Sequence, residues 1–194
     1  KSSGRTDLFD TKEWYALQTW INGDMVADPE LVKALTYNAF DGLEWLEDLG
    51  MEFYDEIGQG AGSLWQRTHT SKMAMGTGMI STYATALVDL ADKITLYNEA
   101  TATDLVLEDG KVVGVVATDN HNGSSFTISC ADGAVISTGG FSANAKMVQD
   151  NNDTGKWPDL SSVATTNRFS CSQGDGITMA SAAGCSLTDM DQIQ

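Results

Sequence analysis

Two dipeptides that favour tight turns constrain the fold of this chain more than any other feature. Asp109-Gly110 and Asn122-Gly123 separate three segments of alternating, β-branched character. The three segments cover residues 102–107, 111–118 and 125–130. Asp-Gly and Asn-Gly suit two-residue hairpins because the central positions of those turns need a positive φ. The pattern therefore predicts a three-stranded antiparallel meander.

Upstream of about residue 94 the apolar residues recur at three- and four-residue steps, which predicts helices. The clearest helix has Asp28 as its N-cap and Pro29 as its first residue, and Gly50 ends it. Its apolar face, which we expect to pack on a core, carries Leu31, Leu35, Ala39, Leu43 and Leu46. A further helix is predicted with Asp10 as its N-cap and Gly23 at its end, and another from about Gly78. Residues 51–75 show no period and are predicted to be irregular.

An apolar run at residues 133–138 follows the meander and leads into Gly139-Gly140. Such a run is typical of a strand buried on both faces of a parallel sheet. Ligands of open α/β sheets lie beyond the carboxyl ends of the strands, and glycines let the backbone approach them closely. Thr138, Gly139 and Gly140 are therefore candidates for cofactor contact, although the residues alone fit a plain tight turn as well.

A short helix is predicted at residues 177–183, after Gly174-Asp175-Gly176. Aspartate is a preferred N-cap, so Asp175 has both a capping and a ligand-binding interpretation. The polar stretch at residues 150–173 is predicted to be a surface excursion.

Composition excludes several classes of partner. The net charge of −16 argues against nucleic acid and anionic lipid as partners. No apolar run approaches the length of a membrane helix, and no signal peptide is visible, which leaves the localisation open between the cytoplasm and export. With two histidines, and three cysteines without a CxxC pair, a metal site is not expected.

A small cationic group contains Arg67, His69 and Lys72. These side chains suit a phosphate or carboxylate ligand, but local ion pairs are the simpler interpretation in so acidic a chain. The nearby glycines at positions 58, 60 and 62 lack the preceding strand and following helix of a dinucleotide-binding loop, and they are interpreted as a loop.

Taken in order, several motifs resemble the flavoprotein subunits of fumarate reductases and succinate dehydrogenases. The soluble bacterial branch, with flavocytochrome c fumarate reductases and urocanate reductase, is the most similar. The motifs are DGLEWLEDLG at residues 41–50, RTH at 67–69, TDLVLEDGKVVGV at 103–115, VISTGGFSAN at 135–144, GDGITMA at 174–180 and DMDQIQ at 189–194.

This resemblance implies an α/β fold, namely part of a Rossmann-like FAD-binding domain with an inserted three-stranded β-meander and flanking helices. It implies FAD as the cofactor. The FAD contacts that it implies are Ala102, through its backbone, Thr138, Gly139, Gly140 and Asp175. Residues 1–93 are expected to be mainly helical, residues 94–140 to hold the strands, and residues 141–194 to form a loop and a short helix.

The resemblance also implies a bacterial CH–CH oxidoreductase that reduces the double bond of a fumarate-like carboxylate by hydride transfer from flavin. Nothing in the chain matches the family's first βαβ unit or its substrate-clamping domain, and no catalytic residue is assigned. Such a fragment is expected to be inactive alone and to need the remaining segments of the flavoprotein or self-association. Two alternatives stay open: a non-catalytic acidic binding module on the same scaffold, and a related flavoprotein such as a Δ1-dehydrogenase.

Overall fold

The computed structural model describes residues 9–152, 155–163, 165 and 171–193. The chain divides into two compact units, Lys1–Leu96 and Tyr97–Gln194. Among the described residues, no helix is both long and apolar enough to cross a lipid bilayer.

The described part of the first unit, from residue 9 onward, contains three helices and a two-stranded sheet. These elements are α1 (Lys12–Asn22), α2 (Pro29–Asp48), β1 (Phe53–Gly58), β2 (Thr68–Ser71) and α3 (Thr77–Asp89). The predicted start of α2 is confirmed, because the Asp28 side chain accepts a hydrogen bond from the Glu30 N–H at 2.8 Å. The predicted cap of α1 is wrong by one residue, since Thr11 accepts the Trp14 N–H at 3.0 Å and not Asp10.

The prediction that α2 buries its leucine face is wrong for the N-terminal half of the helix, among the residues that the structure describes. Leu31 is 70% exposed and Leu35 is 61% exposed, whereas Val32 and Thr36 on the neighbouring face are buried. The helix α1 packs on α2, and the two leucines of this face that lie in the C-terminal half of α2 are half-buried. The helix α2 therefore carries more apolar residues than the described part of this unit buries.

Residues 51–75 are not irregular as predicted, because they contain the antiparallel pair β1 and β2. Ile57 pairs with His69 and Phe53 with Ser71, with a shift of register between them. Gly78, at the start of α3, lies so close to β2 that a Cβ atom there would be 2.2 Å from the Ser71 Oγ. Glycine at this position lets α3 begin against β2 without displacing the Ser71 side chain.

The described residues of the second unit form the meander and two short helices. Its elements are β3 (Ala100–Glu108), β4 (Lys111–Asp119), β5 (Ser125–Ser129), α4 (Ala145–Asp150) and α5 (Asp175–Ala182). The meander is confirmed, with antiparallel order β3-β4-β5. Its first turn has a φ of 49° at Asp109 and 75° at Gly110, as the hairpin requires.

The apolar run at residues 133–138 is not a strand in this structure, contrary to the prediction. Val135 is 93% exposed and Ile136 is 39% exposed. A strand needs a hydrogen-bonded neighbour, and none of the described strands pairs with this run. Part of the predicted excursion at 150–173 lies outside the described residues.

Candidate cofactor site

The run at residues 133–138 ends in what we call the glycine turn, residues 138–140. Gly139 has a φ of +77°, in the left-handed region that favours glycine. A Cβ atom added at Gly140 would meet nothing within 4 Å. All three residues are exposed, so the turn presents bare backbone with room beside it.

The second predicted part of the site, Gly174-Asp175-Gly176, lies at the start of α5. Gly174 is the N-cap residue, with a φ of +83°, and it makes no side-chain cap. Asp175 is the first helical residue, so the interpretation of Asp175 as the N-cap is wrong. Its side chain is exposed between the buried Gly174 and Gly176, and none of the described residues donates a hydrogen bond to its carboxylate. The carboxylate is therefore available to an external donor.

The structure brings these two segments together. The Gly174 N–H donates to the Gly140 carbonyl at 3.1 Å. A Cβ atom at Gly176 would lie 2.2 Å from the Thr138 Oγ1 and 2.4 Å from the Ile136 Cγ2, so α5 begins directly against the run that leads into the turn. Because glycine has no side chain, Gly176 lets α5 begin beside the glycine turn; any other residue there would clash with Thr138 and Ile136.

Ala102 lies on β3 opposite Ala117, and it is half-buried. The pairing register shifts between Ala102 and Asp104, which is the mark of a β-bulge. The helix α5 packs against β3. No hydrogen bond described in the structure joins Ala102 to the glycine turn or to Asp175.

Sequence reasoning missed two residues at this site. Ser172 has a φ of 54°, and its Oγ lies 3.7 Å from where a Cβ at Gly139 would be. Asn144 caps α4 by accepting the Met147 N–H at 3.0 Å. The capping preference of asparagine ahead of a short helical segment was the available signal for Asn144. No sequence signal marks Ser172.

The cationic group of the first unit is occupied by the chain itself. Arg67 forms a bidentate pair with Asp10 at 2.8 and 2.9 Å, donates to the Gln18 Oε1 at 2.8 Å, and lies over the Tyr15 ring. Lys72 is 3.5 Å from the Glu52 carboxylate. The ion-pair interpretation is confirmed for Arg67 and Lys72, whereas His69 makes an edge-on ring contact with Phe53.

Comparisons with known proteins place this site in context. A family model described as FAD binding domain matches residues 3–194. The NADH:acrylate oxidoreductase of Vibrio harveyi is 28% identical over 201 residues, which cover 99% of this chain and 20% of that protein. The probable fumarate reductase Ifc3 of Shewanella frigidimarina (strain NCIMB 400) is 29% identical over 187 residues, which cover 95% of this chain and 30% of that protein.

A solved structure, the open conformation of a flavocytochrome c3 fumarate reductase, superposes with a TM-score of 0.80 at 27% identity. The match covers 96% of this chain and 32% of that one. The chain thus spans between a fifth and a third of the length of these proteins.

These similarities confirm the predicted fold class, a partial α/β FAD-binding domain with an inserted meander. They also confirm the predicted resemblance to the soluble fumarate reductases, and with it FAD as the cofactor. Because the family model covers nearly the whole chain, this protein belongs to the FAD binding domain family.

Proposed function

We propose that this chain is part of an enzyme that reduces the carbon–carbon double bond of a small unsaturated carboxylate. FAD, when bound and reduced by an external electron donor, would supply a hydride for one carbon of that double bond, and the other carbon would take a proton. The named substrates of the relatives support this choice. Acrylate and fumarate, which appear in the names of two of them, both carry a double bond conjugated to a carboxylate.

The observation that carries the proposal is the contact between the glycine turn and the start of α5. We infer that Thr138, Gly139 and Gly140 lie along FAD and that Asp175 accepts a hydrogen bond from it. A carboxylate accepts well from hydroxyl groups and repels phosphate, so Asp175 suits a sugar or ribityl hydroxyl of the cofactor. The bare backbone beside Gly140 suits close approach of a flat or extended group. The residues present therefore fit the cofactor.

Ala102 is proposed to offer its backbone to the adenine end of FAD. The β-bulge beside it supports this role, because bulges locally free backbone groups from the ladder and are frequent next to active sites. The packing of α5 on β3 supports it further, since it keeps the strand of Ala102 near the helix of Asp175.

We assign no catalytic residue to this chain. Its role in the enzyme is to hold the cofactor. Arg67 is not offered as a proton donor or a substrate clamp, because Asp10 and Gln18 occupy its guanidinium.

The remaining segments of the same flavoprotein are the partner that we propose for the exposed apolar residues, with self-association as the alternative. Three large apolar side chains are at least 70% exposed, namely those of Leu31, Ile80 and Val135. Such exposure is typical of surfaces that another segment or chain covers. Size-exclusion chromatography separates the two: the 194-residue chain is expected to co-elute with the separately expressed remaining segments, and oligomers of the chain alone would favour self-association. A monodisperse monomer that binds no such segment would contradict this part of the proposal.

The cofactor assignment is tested in the flavoprotein expressed from the whole open reading frame that contains this chain. A Cβ atom at Gly140 meets no other atom within 4 Å. The Gly140→Val side chain should therefore not clash, and we expect the protein without FAD to keep its melting temperature. The side chain would intrude on FAD and lower its affinity about 10- to 100-fold, by analogy with overpacking. Gly42→Val is the matched control, because a Cβ there also meets nothing within 4 Å. Equal FAD affinity in the two variants would refute the placement of FAD beside Gly140.

The reaction is tested with the same protein and reduced viologen as the electron donor. Oxidation of the dye on addition of fumarate or acrylate is the expected result. Turnover of a steroid instead would favour the dehydrogenase alternative, and a colourless protein that takes up no added FAD would favour the binding module.

A further inference from the structure

A hydrogen-bonded clamp joins the segment that follows the glycine turn to the segment that precedes α5. Two of its bonds connect main-chain groups. The Ala143 N–H donates to the Ser172 carbonyl at 3.1 Å, and the Gly174 N–H donates to the Gly140 carbonyl at 3.1 Å. These two bonds hold the two segments side by side, but neither of them reaches the helix α4.

The Asn144 side chain supplies the missing restraint. Its Oδ1 accepts the Met147 N–H at 3.0 Å, and its Nδ2 donates to the Gln173 carbonyl at 3.0 Å. The Gln173 side chain returns the contact by donating from its Nε2 to the Ala143 carbonyl at 3.3 Å. One planar amide group thus ties the first turn of α4 to the segment that leads into α5.

Packing depends on the same contact. Met147, whose N–H is bonded to Asn144, lies against Gly174 so closely that a Cβ atom there would be 2.4 Å from the Met147 Sδ. The same added Cβ atom at Gly174 would also lie 3.1 Å from the Phe141 Cβ. The cap at Asn144 therefore determines where Met147 sits, and Met147 in turn limits where Gly174 and the following Asp175 can sit.

We propose that Asn144 is a positioning residue that holds the glycine turn and Asp175 in the relative placement that FAD requires. This inference rests on the proposed function of those two segments. Asn144 need not touch the cofactor. Its amide acts through the Gln173 carbonyl and the α4 cap, and only a group that both donates and accepts can make the two contacts at once.

The test compares two asparagine-to-aspartate substitutions. Asn144→Asp keeps the oxygen that caps α4 and loses the donor to the Gln173 carbonyl. Asn151→Asp is the matched control: Asn151 is also half-buried, and it loses an equivalent Nδ2 bond, at 2.8 Å, to the Met147 carbonyl within α4. Both variants gain one negative charge, and only the first breaks the link between the two segments.

The first readout needs no flavin. Hydrogen exchange of the Ala143 and Gly174 amides, measured in the whole flavoprotein without bound flavin, is expected to be about 5- to 10-fold faster in Asn144→Asp than in Asn151→Asp, the effect of one lost hydrogen bond. Equal exchange in the two variants would overturn the clamp. Asn144→Ala, which loses the cap as well, should exchange faster still.

The second readout is FAD binding to the whole flavoprotein. Asn144→Asp is expected to weaken FAD binding about 5- to 10-fold relative to Asn151→Asp and to alter the visible circular dichroism of the bound flavin, which reports its surroundings. If both variants bind FAD alike while the native protein binds it well, the positioning role is refuted and the cofactor assignment stands. If the native protein itself binds no FAD, the proposed function and this inference are both refuted.

Discussion

Replacement of Gly176 by alanine tests the placement of α5 directly. Gly176 is the second residue of α5 and is buried. The new Cβ atom would lie 2.2 Å from the Thr138 Oγ1 and 2.4 Å from the Ile136 Cγ2. Both of those atoms belong to β-branched side chains with restricted χ1 angles, so they cannot swing away at low cost. We expect α5 to be pushed off the run that precedes the glycine turn.

The cost follows from these contacts. Overpacking a tight site destabilises by about 1–3 kcal/mol, and two contacts that are each roughly 1 Å too short place Gly176→Ala near the upper end. Alanine returns up to about 1 kcal/mol because glycine is a poor helix former. The net destabilisation of the second unit is therefore about 2 kcal/mol, or roughly a 30-fold change in the unfolding equilibrium.

Hydrogen exchange of the α5 amides and urea denaturation followed by circular dichroism measure this loss. The Thr178 N–H, which donates to the Gly174 carbonyl at 2.9 Å, is a suitable probe. Gly42→Ala in α2 is the control, since nothing lies within 4 Å of its Cβ position, and it is expected to stabilise by up to about 1 kcal/mol. Adding Thr138→Ala to Gly176→Ala should recover part of the loss, because one of the two contacts disappears. Unchanged α5 protection in Gly176→Ala would refute the close approach.

Two further predictions concern the first unit. Arg67→Lys should lower its stability by about 1–2 kcal/mol, because lysine cannot keep the bidentate pair with Asp10, and an unchanged urea midpoint would contradict this. The pKa of Glu13 is held below its ordinary value by the Glu13 backbone N–H and by the Tyr37 hydroxyl, which lies 3.2 Å from the Glu13 carboxylate. A lowered pKa stabilises the fold above the ordinary carboxyl pKa, and this stabilisation is lost as the pH falls through the folded-state pKa. Tyr37→Phe should therefore raise the Glu13 pKa and weaken the acid dependence of stability, and a carboxyl NMR titration with no upward shift would count against it.

The elements that sequence predicted well are those specified by local signals. The meander depends on Asp109-Gly110 and on alternation within each strand, and α2 begins at an Asp-Pro pair whose preferences are local. The pair β1 and β2 was missed because its first strand carries Asp55-Glu56 in place of apolar alternation. Its pairing depends on contacts across a long loop, which no local period reveals.

The candidate site likewise contains residues that local sequence signals indicate and one contact that only the structure shows. Thr138, Gly139, Gly140 and Asp175 were singled out because glycines and a flanking carboxylate are visible in sequence. The link that Asn144 makes to the Gln173 carbonyl spans 29 residues and depends on the placement of two loops. Such a side-chain to backbone bond leaves no pattern in a single sequence, so only the structure shows it.

The exposed run at residues 133–138 explains why burial was the least reliable prediction. An apolar pattern reflects the environment in which a segment works, and that environment includes whatever covers it in the functional protein. Val135 is apolar yet 93% exposed, while Gly176 packs tightly on the neighbouring Ile136 and Thr138. The run therefore already has one neighbour, α5, and lacks hydrogen-bonded strands among the described residues. Since α5 and the clamp at Asn144 already hold the glycine turn here, strands added beside Val135 are expected to rigidify a site whose geometry this chain already encodes.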